Sequence, residues 1–231
     1  MTFWFTPPEL EALLLSLRVS LVAVSVALPL AILTATALAH RNFPGKALID
    51  GAVYLPLVLP PVVMGYLLLL LFGTRGAVGA WLLETFDIRL VFSWKGAALA
   101  SAIITFPFQV RAIRLSLEAI DSGLGDAAAT LGAGRIDRFF NLTLPLALPG
   151  LVAGAITAFA ASLGEFGAII TFVSNIPGET RTLPLAIYSA LQSPGGEDAA
   201  MRLSLIAIAL ALIGVSLAEI ADRRIRKMIG R

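Results

Sequence analysis

Asp126-Ala-Ala-Ala-Thr-Leu-Gly132, running on through Arg135, Asp137 and Arg138 to Leu144-Pro145, is a polar, glycine-punctuated stretch between two long apolar runs. Its pattern predicts two short helices folded against each other. Asp121 or Ser122 can cap the first, and Asp126 lies near its positive end. Leu124, Ala127, Ala128 and Leu131 then recur at the three-and-four spacing of one helical face. The alanines make that face small and smooth enough to lie in a groove on another protein. Gly132 and Gly134 supply freedom for a sharp turn. Beyond the turn, Arg135, Ile136, Arg138, Phe139 and Phe140 read as a second amphipathic helix at a membrane surface, ended by Pro145 as the chain re-enters lipid.

The composition around this stretch places it in a membrane. Of 231 residues 58% are hydrophobic and 14% charged, with a mean hydropathy of +0.90, against about 45–50% and 25% in ordinary soluble domains. With no cysteine and a single histidine, His40, disulfides and thiolate or histidine metal clusters are excluded, so no metal site is expected. The pI near 9.3 does not indicate nucleic acid, because the basic residues gather at the ends of apolar segments. Met1–Thr6 lacks Lys and Arg, unlike the start of a secretory signal, so the first apolar segment is expected to remain in the mature protein.

Taken in order, the apolar runs predict an all-α, polytopic bundle of five transmembrane spans, or six if one run divides. Between Glu11 and Arg41 the one charge is Arg18, close enough to the start to reach the interface with its guanidinium. Gly51–Thr74 is uncharged but broken by Pro56, Pro60, Pro61 and Gly65. Proline removes a donor and kinks a helix, and broken backbone at membrane depth survives only when buried in protein or lining a cavity. A kink in a packed helix and a pathway-lining break both fit. Residues 73–95 read as extramembranous, with Trp81, Phe86, Phe92 and Trp94 as interfacial aromatics. Gly96–Val110 is the next uncharged run, Phe139–Gly178 is uncharged but for Glu165, and Arg202–Glu219 encloses the last span. A short surface helix is expected at Leu183–Leu191. Residues 1–231 thus form one transmembrane domain carrying a loop at about 118–145.

Orientation is set by the basic residues. Eleven of the seventeen Lys and Arg lie in the His40–Lys46 turn, the 111–141 region and the tail, and six lie on the other side. The excess predicts a cytoplasmic loop and C-terminus in an inner membrane.

The spacing Asp126-Ala127-Ala128-x3-Gly132-x9-Leu142-x-Leu144-Pro145 resembles the EAA loop of ABC-importer permeases, with Asp126 where that family usually has Glu and Leu142 where it often has Ile. The resemblance implies a type I importer fold. It also implies that Asp126, Ala127, Ala128, Leu131, Gly132, Leu144 and Pro145 dock into a cytoplasmic ATPase dimer. Ser162-Leu-Gly-Glu-Phe-Gly167 is similar to the oxyanion branch of these permeases, and Phe172-Val-Ser-Asn-Ile-Pro-Gly-Glu-Thr-Arg-Thr-Leu-Pro184 to the molybdate permeases. The resemblance therefore implies a permease that takes molybdate from a periplasmic oxyanion-binding protein, with sulfate or tungstate as the alternative cargo.

The residues themselves offer no chemistry for an enzyme. Gly45-Lys46 is followed by Ala47 and lacks the upstream glycine of a phosphate-cradling loop, and no serine has a partnered histidine. No cofactor is expected on this chain, and ATP–Mg is expected on the partner. Five spans enclose a polar route poorly, so a homodimer within the lipid bilayer is predicted. A carboxylate at membrane depth is a functional candidate, which singles out Glu165 with Gly164, Phe166 and Gly167. Pro60, Pro61, Thr171, Ser174 and Asn175 complete an expected pathway or gate. Because a carboxylate repels a dianion, Glu165 is assigned to shaping a narrowing, with a purely structural carboxylate as the other reading. Its expected partner is a Ser or Thr hydroxyl, a backbone donor beside Gly164 or Gly167, or an arginine of the second copy. A stand-alone channel or secondary transporter, and a scaffold subunit without transport, are the rival functions. The former would need coupling-ion carboxylates or an inverted repeat, and neither is present in the sequence.

Overall fold

Two long helices form the spine of the bundle. The computed structural model describes residues 6–40 and 43–228, and every regular element among them is helical. Arg41, Met1–Phe5 and the last basic residue, Arg231, lie outside the described residues. Helix α1 spans Pro7–His40 and α5 spans Trp94–Glu118. By length and composition these two can each cross a bilayer alone. Between them run α2 (Lys46–Val58), α3 (Pro61–Phe72) and α4 (Ala77–Phe86). After α5 come α6 (Ser122–Thr130), α7 (Arg135–Arg138), one π-helical turn (Phe139–Thr143), α8 (Leu144–Leu146) and α9 (Leu148–Leu163). The chain closes with α10 (Gly167–Val173), α11 (Leu183–Leu191) and α12 (Glu197–Met228).

The broken spans are real. Helices α2 and α3 meet at Leu59-Pro60 with a bend of 116°, and the segment 135–146 meets α9 with a bend of 62°. At 13 and 12 residues, α2 and α3 reach roughly 20 and 18 Å, each short of a hydrocarbon core of about 30 Å. Counting each bent pair as one span gives four candidates among the described residues, and α12 carries the fifth apolar run. Pro60 is the breaker, placed ahead of α3 with Pro61 at its first turn. Pro56 is carried inside α2. Gly65 lies inside α3 and serves a close approach, described below.

Small residues let the helices approach. A Cβ on Gly150 would lie 2.4 Å from Ser116 Cβ, and one on Gly154 would lie 3.1 Å from Ala112 Cβ, so α9 rests almost directly on α5. This is how helices associate in lipid, where burial of apolar surface gives little net drive and close van der Waals contact supplies the attraction. One apolar cluster, including Val19, Met64, Ala97, Ile104, Phe172 and Val173, occupies the end of the bundle where α5 begins. A second, with Ala35, Leu38, Val110, Ile113, Leu117 and Leu151, lies at the end that leads into α6. Leu14, Leu21, Leu30, Leu33, Leu205 and Leu212 point outward and exposed, as lipid-facing positions do.

Polar pairs tie the ends. Arg114 Nη1 donates to Asp50 Oδ1 at 2.8 Å and Nε to Glu118 Oε1 at 2.7 Å, joining α2 to α5 near the loop. At the opposite end Arg202 Nη2 donates to the buried Glu9 Oε1 at 2.9 Å, joining α12 to the start of α1. Arg18 reaches back over the Trp94 ring at 3.7 Å, a cation–π contact in place of simple solvation.

Helix α11 has the bounds expected from the sequence, but it is no surface helix. Leu183, Leu185 and Ala186 are buried, and Ser16 Oγ on α1 accepts from Leu183 N at 2.6 Å. Leu183 and Ala186 pack against Ala12 of α1 and Leu203 of α12, while Leu185 enters the cluster that holds Phe172 and Val173.

Candidate functional site

The loop stands off the bundle as an exposed knuckle. Asp121 caps α6, its Oδ1 accepting from Gly123 N at 2.8 Å. The helix ends in a Schellman arrangement: Ala133 N donates to Ala128 O and Gly132 N to Ala129 O, both at 3.0 Å. Gly132 sits at φ +89°, which only glycine adopts without strain. Gly134, in contrast, is extended at φ −66° and needs no such freedom. Arg138 Nη1 donates to Gly125 O at 3.0 Å and so fixes α7 across α6. Beneath them a cavity of about 820 Å³ is bounded by Thr36 and Ala37 of α1, Glu118 and Asp121, and Arg135 and Arg138.

The face predicted from the helical spacing is unpartnered within the chain. Leu131 is 89% exposed and Leu124 47% exposed, with Asp126 and Ala127 also exposed and Ala128 half-buried. Leu144 and Pro145 behave differently from the rest of this set. Leu144 packs on the cluster around Ala147 and Leu151, and Pro145 is exposed in the first turn of α8. Pro145 also does not end the second helix. The chain stays helical through a π-turn to Leu146 and bends after it; the π-turn lies directly ahead of Pro145, where the missing proline donor interrupts regular helical pairing. The extra residue in the π-turn absorbs the mismatch.

The second candidate set divides in two. Pro61, Gly167 and Thr171 come together with Gly65 and Ala168, and Pro60, Gly164, Glu165 and Phe166 lie in the adjoining breaks, although about a hundred residues separate the two. A Cβ on Gly167 would lie 2.9 Å from Pro61 Cβ, and one on Gly65 would lie 2.7 Å from Ala168 O and 2.8 Å from Thr171 Cβ. The break before α3 therefore rests on the break before α10. Glu165 is buried, and its Oε1 accepts from Ala168 N at 2.8 Å, so of the expected partners it is the backbone donor beside Gly167 that it meets. The carboxylate caps α10 at its positive end. Phe166 packs against Tyr188 of α11, the rings tilted by 52° with centroids 5.2 Å apart.

Ser174 and Asn175 lie at the other end of α10, in a turn that the sequence marks only by its Pro-Gly. Ser174 adopts φ +66° and its carbonyl accepts from the buried Thr180 Oγ1 at 3.0 Å. Asn175 Nδ2 donates to Ser189 Oγ at 2.7 Å, and Asn175 Oδ1 accepts from Arg181 Nε at 2.9 Å. Tyr188, Ser189, Thr180 and Arg181 are not legible as site residues in the sequence, since nothing in their spacing brings them to α10. Gln109 on α5 is likewise silent in the sequence; it is fully buried and its Nε2 donates to Val24 O across to α1 at 3.4 Å. Among the described residues no group of three or more His, Cys, Asp or Glu is placed to hold a metal.

Known proteins have similar sequences, and solved structures share the fold. The family described as binding-protein-dependent transport system inner membrane component matches residues 27–227. The molybdenum transport system permease protein ModB of Escherichia coli (strain K12) is 57% identical over 226 residues, which cover 98% of this chain and 99% of that protein. The sulfate transport system permease protein CysT of the same organism is 38% identical over 199 residues, 86% of this chain and 72% of its own. Among solved structures, a bacterial alginate ABC transporter in complex with an alginate pentasaccharide-bound periplasmic protein superposes with a TM-score of 0.76 at 21% identity, covering 96% of this chain and 81% of that one. That likeness is one of fold, the type I importer bundle. The knuckle at 122–138, the paired breaks and the full-length match agree: this chain belongs to the binding-protein-dependent transport system inner membrane components.

Proposed function

We infer that this chain is the permease subunit of an ATP-driven importer that moves molybdate into the cytoplasm. The observation that carries the reading is the 57% identity, end to end, with a molybdenum transport system permease, against 38% with a sulfate permease. On this reading α6 is the coupling helix. Asp126, Ala127, Ala128, Leu131 and Gly132 enter a groove on a cytoplasmic ATPase that binds ATP–Mg, while Leu144 and Pro145 brace the return of the chain into the bundle. The exposure of Leu131 with no neighbour in its own chain supports a partner there.

The junction of Pro60, Pro61, Gly164, Glu165, Phe166, Gly167 and Thr171 supplies the gate, and two copies of the chain enclose the route between them. Glu165 shapes that gate by capping α10. A periplasmic binding protein delivers the oxyanion to the end where α1 begins. The loop and the C-terminus face the cytoplasm, and the whole chain is one transmembrane domain.

Uptake of labelled molybdate into vesicles holding this chain, its ATPase and its binding protein tests the reading. ATP-dependent uptake that excess sulfate does not abolish is expected. Sulfate uptake without molybdate uptake would overturn the cargo, and uptake surviving removal of the ATPase would overturn the coupling in favour of a channel. Because the chain has no cysteine, single cysteines at positions 126–138 report their side directly, and labelling from outside the cell would overturn the orientation.

A further inference from the structure

The geometry points to Arg181 as an anion-receiving cation at the outer mouth of the pathway, poised to meet a tetrahedral oxyanion on its way in. This rests on the reading of the chain as an oxyanion permease. The turn that carries Arg181 lies at the end of the bundle opposite the coupling loop. A Cβ on Gly96, near the start of α5, would lie 2.7 Å from Val173 Cγ1, and Ser16 near the start of α1 accepts from Leu183 N.

The turn is rigid. Thr180 is fully buried; its hydroxyl donates to Ser174 O and accepts from Ile176 N at 2.9 Å, while Ile176 O takes the amides of Glu179, Thr180 and Arg181. On this frame a relay of neutral groups orients the guanidinium. Ser189 Oγ donates to Leu185 O at 2.9 Å, so it accepts from Asn175 Nδ2, which leaves Asn175 Oδ1 to accept from Arg181 Nε. The plane of the guanidinium is set through Nε, and its Nη donors stay available.

No carboxylate neutralises it. Among the described residues the arginines in ion pairs are Arg114, with Asp50 and Glu118, and Arg202, with Glu9. Arg18 lies over Trp94. Arg181 is the guanidinium at this end that is both anchored side chain to side chain and left with its full charge. A guanidinium fork matches two oxygens of an oxyanion. One half-buried cation binds a dianion weakly, as a pathway requires of a site the cargo must also leave.

The test uses the complete transporter in vesicles with Arg181→Gln, Arg181→Lys and Asn175→Asp, reading oxyanion uptake alongside ATP hydrolysis stimulated by the loaded binding protein. Loss of a charge-assisted contact predicts uptake down about tenfold in Arg181→Gln, with stimulated hydrolysis retained. Arg181→Lys should retain more uptake. Asn175→Asp, which places a neutralising carboxylate on the guanidinium, should fall with Arg181→Gln. Wild-type uptake in Arg181→Gln would overturn the assignment, and so would an equal fall of uptake and hydrolysis in all three variants, the mark of a structural role. If Arg181→Gln does not assemble with the ATPase, the contrast between Arg181→Lys and Asn175→Asp decides alone, and equal uptake in those two overturns it. A wild-type transporter that moves no oxyanion overturns the functional reading and this site with it; one that moves an oxyanion regardless of residue 181 overturns this site only.

Discussion

Gly132 gives the sharpest test of how the knuckle works, because its two possible roles respond differently to substitution. At φ +89° it closes α6, and a Cβ built on it meets nothing within 4 Å. A Cβ at this position therefore clashes with nothing in the chain, and the internal cost of adding one is conformational. For an ordinary L-residue the left-handed region costs about 1–2 kcal/mol, asparagine less, and a β-branched residue more. Such a cost opposes the Schellman closure and the register of α6 by a factor of roughly 5–30. ATP-driven uptake in reconstituted vesicles should therefore fall progressively from Gly132→Asn through Gly132→Ala to Gly132→Val. The asparagine variant should stay close to wild type, and the valine variant should lose most activity while still inserted. A uniform collapse in all three, asparagine included, would refute the strain argument and assign the loss to bulk inside the ATPase groove. Normal uptake by Gly132→Val would refute a coupling role for the turn altogether.

The other predictions concern packing and charge. Gly150→Leu should destabilise the detergent-solubilised protein in thermal melts by about 1–3 kcal/mol through overpacking against Ser116 and Ala112 O, whereas Gly125→Ala, whose Cβ meets open space, should be neutral or slightly stabilising. Arg202→Met leaves the buried Glu9 carboxylate with only the Thr6 amide as partner and should cost about 1–3 kcal/mol; a double-mutant cycle with Glu9→Gln that shows no coupling would contradict this. Glu165→Gln keeps an acceptor for Ala168 N, so insertion should be intact while uptake drops, and Glu165→Ala should additionally lose thermal stability. Normal uptake by Glu165→Gln would remove it from the gate.

The knuckle is readable without any knowledge of the fold because everything that defines it is local. The cap at Asp121, the apolar face at Leu124, Ala127, Ala128 and Leu131, and the glycine stop act within a dozen residues, where spacing and backbone preference decide the outcome. The membrane class is equally accessible, since solvent chooses among sequences by composition averaged over long runs. The proline break at 60–61 can be seen as a break for the same reason. What it rests against cannot, because the partner lies about a hundred residues along the chain.

That pairing is what the tertiary structure decided. Gly65 reads in sequence as a break and Gly167 as a neighbour of Glu165, yet in space they are the contact surfaces on which α3, Pro61 and α10 meet. Helix α11 shows the converse: its bounds are legible and its burial is not, since packing between helices in lipid depends on shape complementarity across the bundle and leaves little trace in apolar content. The hydrogen-bond relay from Leu185 through Ser189 and Asn175 to Arg181 belongs to the same class. Each residue in it is ordinary alone, and only folding the turn back onto α11 aligns their donors and acceptors.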